Sequence, residues 1–262
     1  MINGQEKITS FINKCTLDTL PRTLMFIGQK GSGKHLIATY ISEKFNLTLL
    51  DITDKLDYDT IEEINNRTEP YLYLIQINKV SVKEQNTILK FLEEPLKNSF
   101  IVLIAEHTLS ILPTILNRCN CWTLQEYTKN FLSQFSDNID LIKIANTPGQ
   151  IIELNQAPFN DMVELANKII TKIELASVPN TLTLSNKIAF KNEKDKFDLD
   201  LFMLILNYRL TDMWRNVVDV RYPKAYLVTS KLINKLKIPN VEQRPLFEKY
   251  LIDLRKVMKG LT

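Results

Sequence analysis

Gly28, Gly31, Gly33 and Lys34 are the residues of this chain whose types and spacing carry the clearest chemistry. They stand in Gly28-Gln29-Lys30-Gly31-Ser32-Gly33-Lys34-His35, which fits the spacing G-x-x-x-x-G-K. Glycines so placed let successive backbone N–H groups curl around a phosphate. The lysine adds a positive charge, and the helix that follows adds the positive end of its dipole. Three of the chain's six glycines fall in this loop, a clustering that marks backbone needing positive φ or close approach. The last position breaks the pattern. A Ser or Thr hydroxyl there ligates the Mg²⁺ that bridges the terminal phosphates of a nucleotide, and His35 stands in its place. Imidazole is a poor ligand for a hard cation that prefers oxygen, so the loop is expected to keep its fold and to have lost its catalysis.

The loop needs a strand before it and a helix after it. Thr23 to Ile27 is an apolar run that predicts a buried strand, and Leu36 to Ile41 has helical periodicity. An amphipathic helix is predicted over Gln5 to Cys15 from Ile8, Phe11 and Ile12. Further strands are predicted over Leu47 to Ile52, Tyr71 to Ile77, Ser99 to Ala105 and Cys121 to Leu124. The nearly continuous apolar character of these runs fits a parallel sheet covered on both faces. A helix is predicted over Asp59 to Asn66 with Asp59 as N-cap. Another runs from Ser81 to Pro95, opened by the capping box of Ser81 and Glu84 and stopped by the proline. A short helix from Ile111 ends at Arg118-Cys119. In a nucleotide hydrolase the strand over Tyr71 to Ile77 would end in acids that hold Mg²⁺ and polarise the attacking water. It ends in Gln76-Ile77-Asn78-Lys79, and the second half of a hydrolytic apparatus is missing with the first.

Composition bounds the rest. A chain of 262 residues with 45% hydrophobic and 24% charged content is an ordinary globular protein with room for two or three domains. A net charge of +3 is mild, so nucleic-acid contact would have to come from a local patch. Cys15, Cys119 and Cys121 are odd in number and form no C-x-x-C pair, which argues against a disulfide framework and a four-ligand zinc site. No apolar run approaches a membrane span, and Met1 to Lys7 lacks the apolar segment of a secretion signal. A soluble, cytoplasmic protein with no membrane partner is the expectation.

Taken in order, the phosphate loop, the acid-free strand, Asn86-x-x-Leu89-Lys90-x-Leu92-Glu93-Glu94-Pro95, Leu112-Pro113-Thr114-Ile115 and Asn117-Arg118-Cys119 resemble the clamp-loader branch of the AAA+ ATPases. Within that branch they resemble the delta-prime subunit family of bacterial DNA polymerase III. The resemblance covers roughly Pro21 to Leu154 and weakens beyond. It implies that Arg118, in a tripeptide that reads S-R-C in the family, reaches as an arginine finger into the nucleotide site of a neighbouring subunit. The alternative is that Arg118 merely caps the carbonyls at the end of its own helix. The four zinc-binding cysteines of many relatives are absent between Ser42 and Pro70, so no zinc is expected. The polar sensing position of the third strand falls near Glu106-His107, and the arginine of the family's lid turn is replaced by Gln150. Both are further departures from a working ATPase.

Past Gln125 the pattern turns to helices without intervening strands. A helix from Asp140 to Ala145, a Pro148-Gly149 turn and another helix to Leu154 resemble the family's lid. A long helix is expected from Phe159 to Leu175, a connection from Val178 to Asn186, a solvated charge cluster from Ile188 to Lys196, and an apolar helix from Leu199 to Val218. Tyr208 to Asp212 resembles part of the family's collar, and the last helices are expected over Ala225 to Leu236 and Pro245 to Met258. The apolar helix could serve equally as the centre of a bundle or as an oligomer interface. The expected organisation is an α/β P-loop domain over 1–124, a small helical lid over 125–176 and an all-α collar over 177–262. The implied function is that of a non-hydrolysing stator in a hetero-oligomeric ring with other clamp-loader subunits, a sliding clamp and primed DNA. Gly28, Gly31, Gly33 and Lys34 would form a degenerate loop that could hold ATP without cleaving it. An ATP-hydrolysing motor subunit is the alternative, and an unrelated P-loop kinase a more remote one.

Overall fold

Phe100-Ile101-Val102-Leu103-Ile104-Ala105 is apolar at every position, which suits a strand only when both of its faces are covered. In the computed structural model it is the central strand of a five-stranded parallel sheet. The structure describes residues 3–54, 56, 69–93, 99–189, 197–238 and 241–261. The helix expected over Asp59 to Asn66, Pro95 and most of the 188–196 charge cluster lie outside those residues.

The described chain forms two compact units, the first being Met1–Phe131 with Thr147–Gly149 and the second Leu132–Asn146 with Gln150–Thr262. The first unit opens with α1 (Glu6–Lys14), β1 (Thr23–Ile27), α2 (Lys34–Phe45) and β2 (Thr48–Asp51). β3 (Tyr71–Gln76) runs into a 3-10 turn at Ile77–Lys79 and then α3 (Val82–Glu93). β4 (Phe100–Ala105), α4 (Pro113–Leu116) and β5 (Asn120–Thr123) complete the sheet, whose order is β2-β3-β4-β1-β5. Side chains alternate across the strands. Phe100, Val102 and Ile104 join Leu24, Phe26, Ile8, Ile12, Ile37 and Ile41 on one face. Ile101, Leu103 and Ala105 join Met25, Tyr73, Ile75, Ile88, Phe91 and Ile115 on the other. The capping box forms as expected: Glu84 Oε2 accepts from Ser81 N at 2.8 Å, and Ser81 Oγ accepts from Glu84 N at 3.3 Å.

The chain continues through α5 (Lys129–Leu132), α6 (Ile139–Ile144), α7 (Pro148–Gln156) and α8 (Phe159–Lys172). Pro148 and Gly149 are therefore the first two residues of a helix and not a turn ahead of it; proline is tolerated there because the first helical N–H has no intrahelical acceptor. The expected connection from Val178 to Asn186 is also helical, as α9 (Val178–Leu182) and a 3-10 turn at Thr183–Lys187. Its Ser and Pro are start signals: Ser177 Oγ caps Asn180 N at 3.3 Å, and proline occupies the first turn. Two short strands, β6 (Ile188–Ala189) and β7 (Phe197–Asp198), form a parallel bridge where no strand was expected, and Ile188, assigned to a solvated charge cluster, is buried.

The unit closes with α10 (Leu199–Asn216), α11 (Arg221–Leu236) and α12 (Gln243–Met258). α10 buries Leu199, Leu201, Phe202, Met203, Ile205, Leu206 and Leu210 against α8 and α11. It is thus the centre of its own bundle. Among the described residues no helix is long and apolar enough to cross a membrane.

Candidate functional site

β1 delivers the chain to the phosphate loop by extending its ladder one step, with Gly28 N donating to Ala105 O at 2.9 Å. Gly31 (φ 78°) and Gly33 (φ 89°) then take left-handed conformations that a Cβ would disfavour. The loop turns on Ser32 N donating to Gln29 O at 3.2 Å, and α2 starts at Lys34. This is the curl that the spacing predicts.

The loop is closed upon itself. Lys34, only 7% exposed, donates through Nζ to Gly28 O at 2.5 Å, Gln29 O at 2.7 Å and Ser32 Oγ at 3.4 Å. Burial lowers its pKa, and the charge of Glu106 pulls the other way. The remaining carbonyls of the loop are also engaged. Thr147 Oγ1 donates to Lys30 O at 2.8 Å, Gly149 N to Gly31 O at 3.0 Å, and Tyr127 Oη to Ser32 O at 2.9 Å. Gly149 N–H is one of the first-turn donors that a helix leaves without an internal acceptor. The approach is so close that a Cβ on Gly149 would stand 2.4 Å from Gly31 Cα. Incoming phosphate would have to draw the Lys34 ammonium away from three oxygens before that charge could serve it.

His35 is exposed in the first turn of α2. Its pKa is lowered chiefly by partial desolvation; nearby Asp51 raises it, and Lys34 and Lys79 lower it further. Asp51 ends β2, next to the end of β3. Its Oδ1 accepts from Thr53 N at 3.0 Å and Thr53 Oγ1 at 2.6 Å, and its Oδ2 from Gln76 Nε2 at 3.2 Å. Burial raises the carboxyl pKa, but these hydrogen bonds and His35 outweigh it and hold the group below the usual range. β3 lacks a terminal acid, as the sequence indicates; the carboxylates near the loop come from β2 (Asp51) and from the end of β4 (Glu106). Asn78 ties the ends of β3 and β4 together, accepting from Glu106 N at 2.6 Å and donating to His107 O and Ser110 Oγ, both at 3.0 Å. Among the described residues no group of three or more His, Cys, Asp or Glu side chains is arranged to hold a metal.

Arg118 lies toward the opposite end of the strands from the phosphate loop. Asn120, at the start of β5, pairs in register with Leu24, whereas Gly28 leaves the opposite end of β1. At about 3.3 Å per residue the two levels are about 13 Å apart, with Arg118 two residues beyond. Its guanidinium donates to Thr114 O at 3.1 Å and to Glu93 Oε1 at 2.6 Å, with side chains 38% and 50% exposed. The helix-capping alternative is therefore formed, together with an ion pair to the first glutamate of the Glu93-Glu94-Pro95 string. Next to it, burial pushes the Cys119 thiol up to about 12, so it is inert at neutral pH. All three cysteines are free.

Sequence reasoning brought Gly28, Gly31, Gly33 and Lys34 together, placed Glu106 near the sensing position, met Asn78 only as an acid-free strand end and Gly149 only as part of a turn, and gave no site role to Asp51, Tyr127 or Thr147. For Asp51 a signal existed, an acid closing a strand that flanks the acid-free one. For Thr147 and Gly149 there was none, because their partners are backbone atoms more than a hundred residues away.

A parallel sheet of order β2-β3-β4-β1-β5, with the phosphate loop after β1 and a helical C-terminal region, is the fold of the AAA+ class. A DNA polymerase III gamma subunit-related protein of Thermotoga maritima superposes on 98% of this chain and 100% of its own, with a TM-score of 0.52 at 15% identity. A substituted RuvB of the same organism covers 95% of this chain and 86% of its own, with a TM-score of 0.50 at 14% identity. These likenesses concern the fold alone. A sequence model of the family described as DNA polymerase III, delta subunit, matches residues 68–128, the stretch from β3 through Arg118 and β5. DNA polymerase III subunit delta' of Bacillus subtilis (strain 168) is 23% identical over 241 residues, 75% of this chain and 73% of that protein. The chain is similar to clamp-loader subunits of the delta-prime kind, as the residues themselves indicated.

Proposed function

We propose that this chain is a non-hydrolysing clamp-loader subunit, a delta-prime-like stator that supplies Arg118 to the ATP site of a neighbouring subunit. The observation that carries the reading is the separation of two halves of a hydrolytic site. The phosphate loop, without a metal-ligating hydroxyl and with Lys34 engaged by its own carbonyls, is at the C-terminal end of β1. The arginine precedes the start of β5, at the opposite end of these neighbouring strands, and is exposed. An arginine finger stabilises charge on a transferring phosphoryl group and can do so in trans. Release from Glu93 is cheap, because an exposed ion pair contributes only about 0–1 kcal/mol.

On this reading residues 1–124 are the nucleotide-fold domain, 125–176 the lid and 177–262 the collar of a hetero-oligomeric ring. The ring would place a sliding clamp on primed DNA in the cytoplasm. ATP would be at most a static ligand, and zinc is not needed. One observation favours the motor reading instead: Asp51 and Glu106 put carboxylates near the loop. Both oxygens of Asp51 are already engaged. Turnover of radiolabelled ATP separates the two. The stator is inactive alone and raises hydrolysis when mixed with motor subunits, and Arg118→Ala abolishes that increase; steady turnover by the isolated chain would establish the motor.

A further inference from the structure

The hairpin of α11 and α12 concentrates positive charge that the whole-chain figure conceals. Between Arg221 and Lys259 there are ten lysines and arginines against three acids, whereas the remaining residues hold 23 basic and 27 acidic side chains. The arginines of the hairpin are spent within the fold. Arg221 pairs with Glu174 and Asp219, Arg244 with Glu248, and Arg255 donates to Ala176 O. Most of the lysines lie along one groove. Lys224, Lys231 and Lys235 from α11 and Lys249 and Lys256 from α12 line a groove of about 450 Å³ between the two helices.

The same groove is lined by the apolar side chains of Leu227, Val228, Leu232, Leu246 and Val257, with Asp253 as the one acid in its lining. Leu227 is 57% exposed on the helix that also carries Lys224, Lys231 and Lys235. Leu227, Lys231 and Lys235 follow one another at i, i+4 and i+8, and so share a face of α11. A nucleic-acid strand would find charge here but no platform for its bases, since stacking needs an accessible ring. The only aromatic residue in the lining, Tyr250, is 3% exposed and hydrogen-bonded to Thr229.

We propose that the α11–α12 groove is a docking site for an acidic amphipathic helix of a partner protein, whose apolar stripe covers Leu227 and whose carboxylates meet the lysine walls. Apolar anchors laid into a groove give affinity, and complementary charge gives orientation and rate. α11 is 16 residues long, so an occupant of about 16 residues, roughly 24 Å as a helix, matches the groove. The inference rests on the second unit alone and does not depend on the roles given to Arg118 or to the phosphate loop.

The test uses the full chain and a fluorescent synthetic peptide of leucine, alanine and glutamate, with leucines at i, i+3, i+4 and i+7. Fluorescence anisotropy should give binding at least about tenfold tighter than for a scrambled peptide of the same composition. Lys231→Glu/Lys249→Glu and, separately, Leu227→Asp should each weaken it by about tenfold or more. All three positions lie at the surface, and circular dichroism verifies the fold of each variant; Lys235→Glu is the substitute should either charge variant fail to fold. Equal binding of the scrambled peptide, of polyglutamate or of a single-stranded oligonucleotide would overturn the proposal in favour of plain ion exchange or nucleic acid. So would affinity unchanged in the folded variants. A dimeric mass in sedimentation that becomes monomeric on Leu227→Asp would assign the groove to a second copy of this chain and overturn it equally.

Discussion

The two ends of the parallel strands hold their polar groups in opposite ways. At the end where β1 finishes, Lys34 is buried on three oxygens, and the carbonyls of Lys30, Gly31 and Ser32 each have a donor from elsewhere in the unit. At the end where β5 begins, Arg118 is exposed and held by one carbonyl and one exposed carboxylate. Extracting a buried, hydrogen-bonded cation costs several times what it costs to release an exposed ion pair. A fold can therefore keep a phosphate loop as internal structure while leaving an arginine free to act on another molecule.

The largest effect that could break this contrast is on catalysis. On the proposed trans role, Arg118→Ala in a complex with motor subunits should lower ATP hydrolysis by roughly 10³ to 10⁵ if the chemical step limits, and by less if a conformational step does. A wild-type rate would remove the outward half of the contrast. Next comes the inward half. Gly149→Ala puts a methyl group 2.4 Å from Gly31 Cα and should destabilise the protein by about 1–3 kcal/mol in urea unfolding. An unchanged midpoint would mean that Thr147 to Gly149 do not sit on the loop.

Ser81→Ala removes one side of the capping box of the helix that carries Glu93, and should cost about 1 kcal/mol by the same measurement. Glu93→Gln should cost less than about 1 kcal/mol and leave hydrolysis in the complex equal to or above wild type, which sharpens the claim that the ion pair only parks the arginine. The smallest effect is on pH dependence. The folded pKa of Asp51 is depressed, so its stabilisation is present above the unfolded carboxylate value of about 3.9 and is lost as pH falls through the folded value. Urea midpoints followed from about pH 7 to pH 3 should fall less steeply in Asp51→Asn.

The sheet was legible in the sequence because both of its faces are buried. Apolar runs such as Phe100 to Ala105 have no other stable use, and the strands predicted within the described residues form within a residue or two of their expected ends. The Ser81 and Glu84 box was legible because it is local. The helix at Val178 was misread because Ser, Thr, Asn and Pro serve both turns and helix starts, and only the chain's path separates the two. β6 and β7 were missed because a two-residue bridge has too little length for a period.

For the site, the curl of Gly28 to Lys34 was determined by sequence alone: it needs only glycines able to take positive φ, a strand before them and a helix after them. Its closure was decided by tertiary structure. Thr147, Gly149 and Tyr127 meet the loop through backbone carbonyls, which look alike at every residue and leave no mark in the spacing of side chains. Tertiary structure likewise decided the pairing of Asp51 with the Gln76 side chain on the neighbouring strand and the placement of Arg118. Residue types specify what a group can do, but strand order and register decide which groups share an end of the sheet.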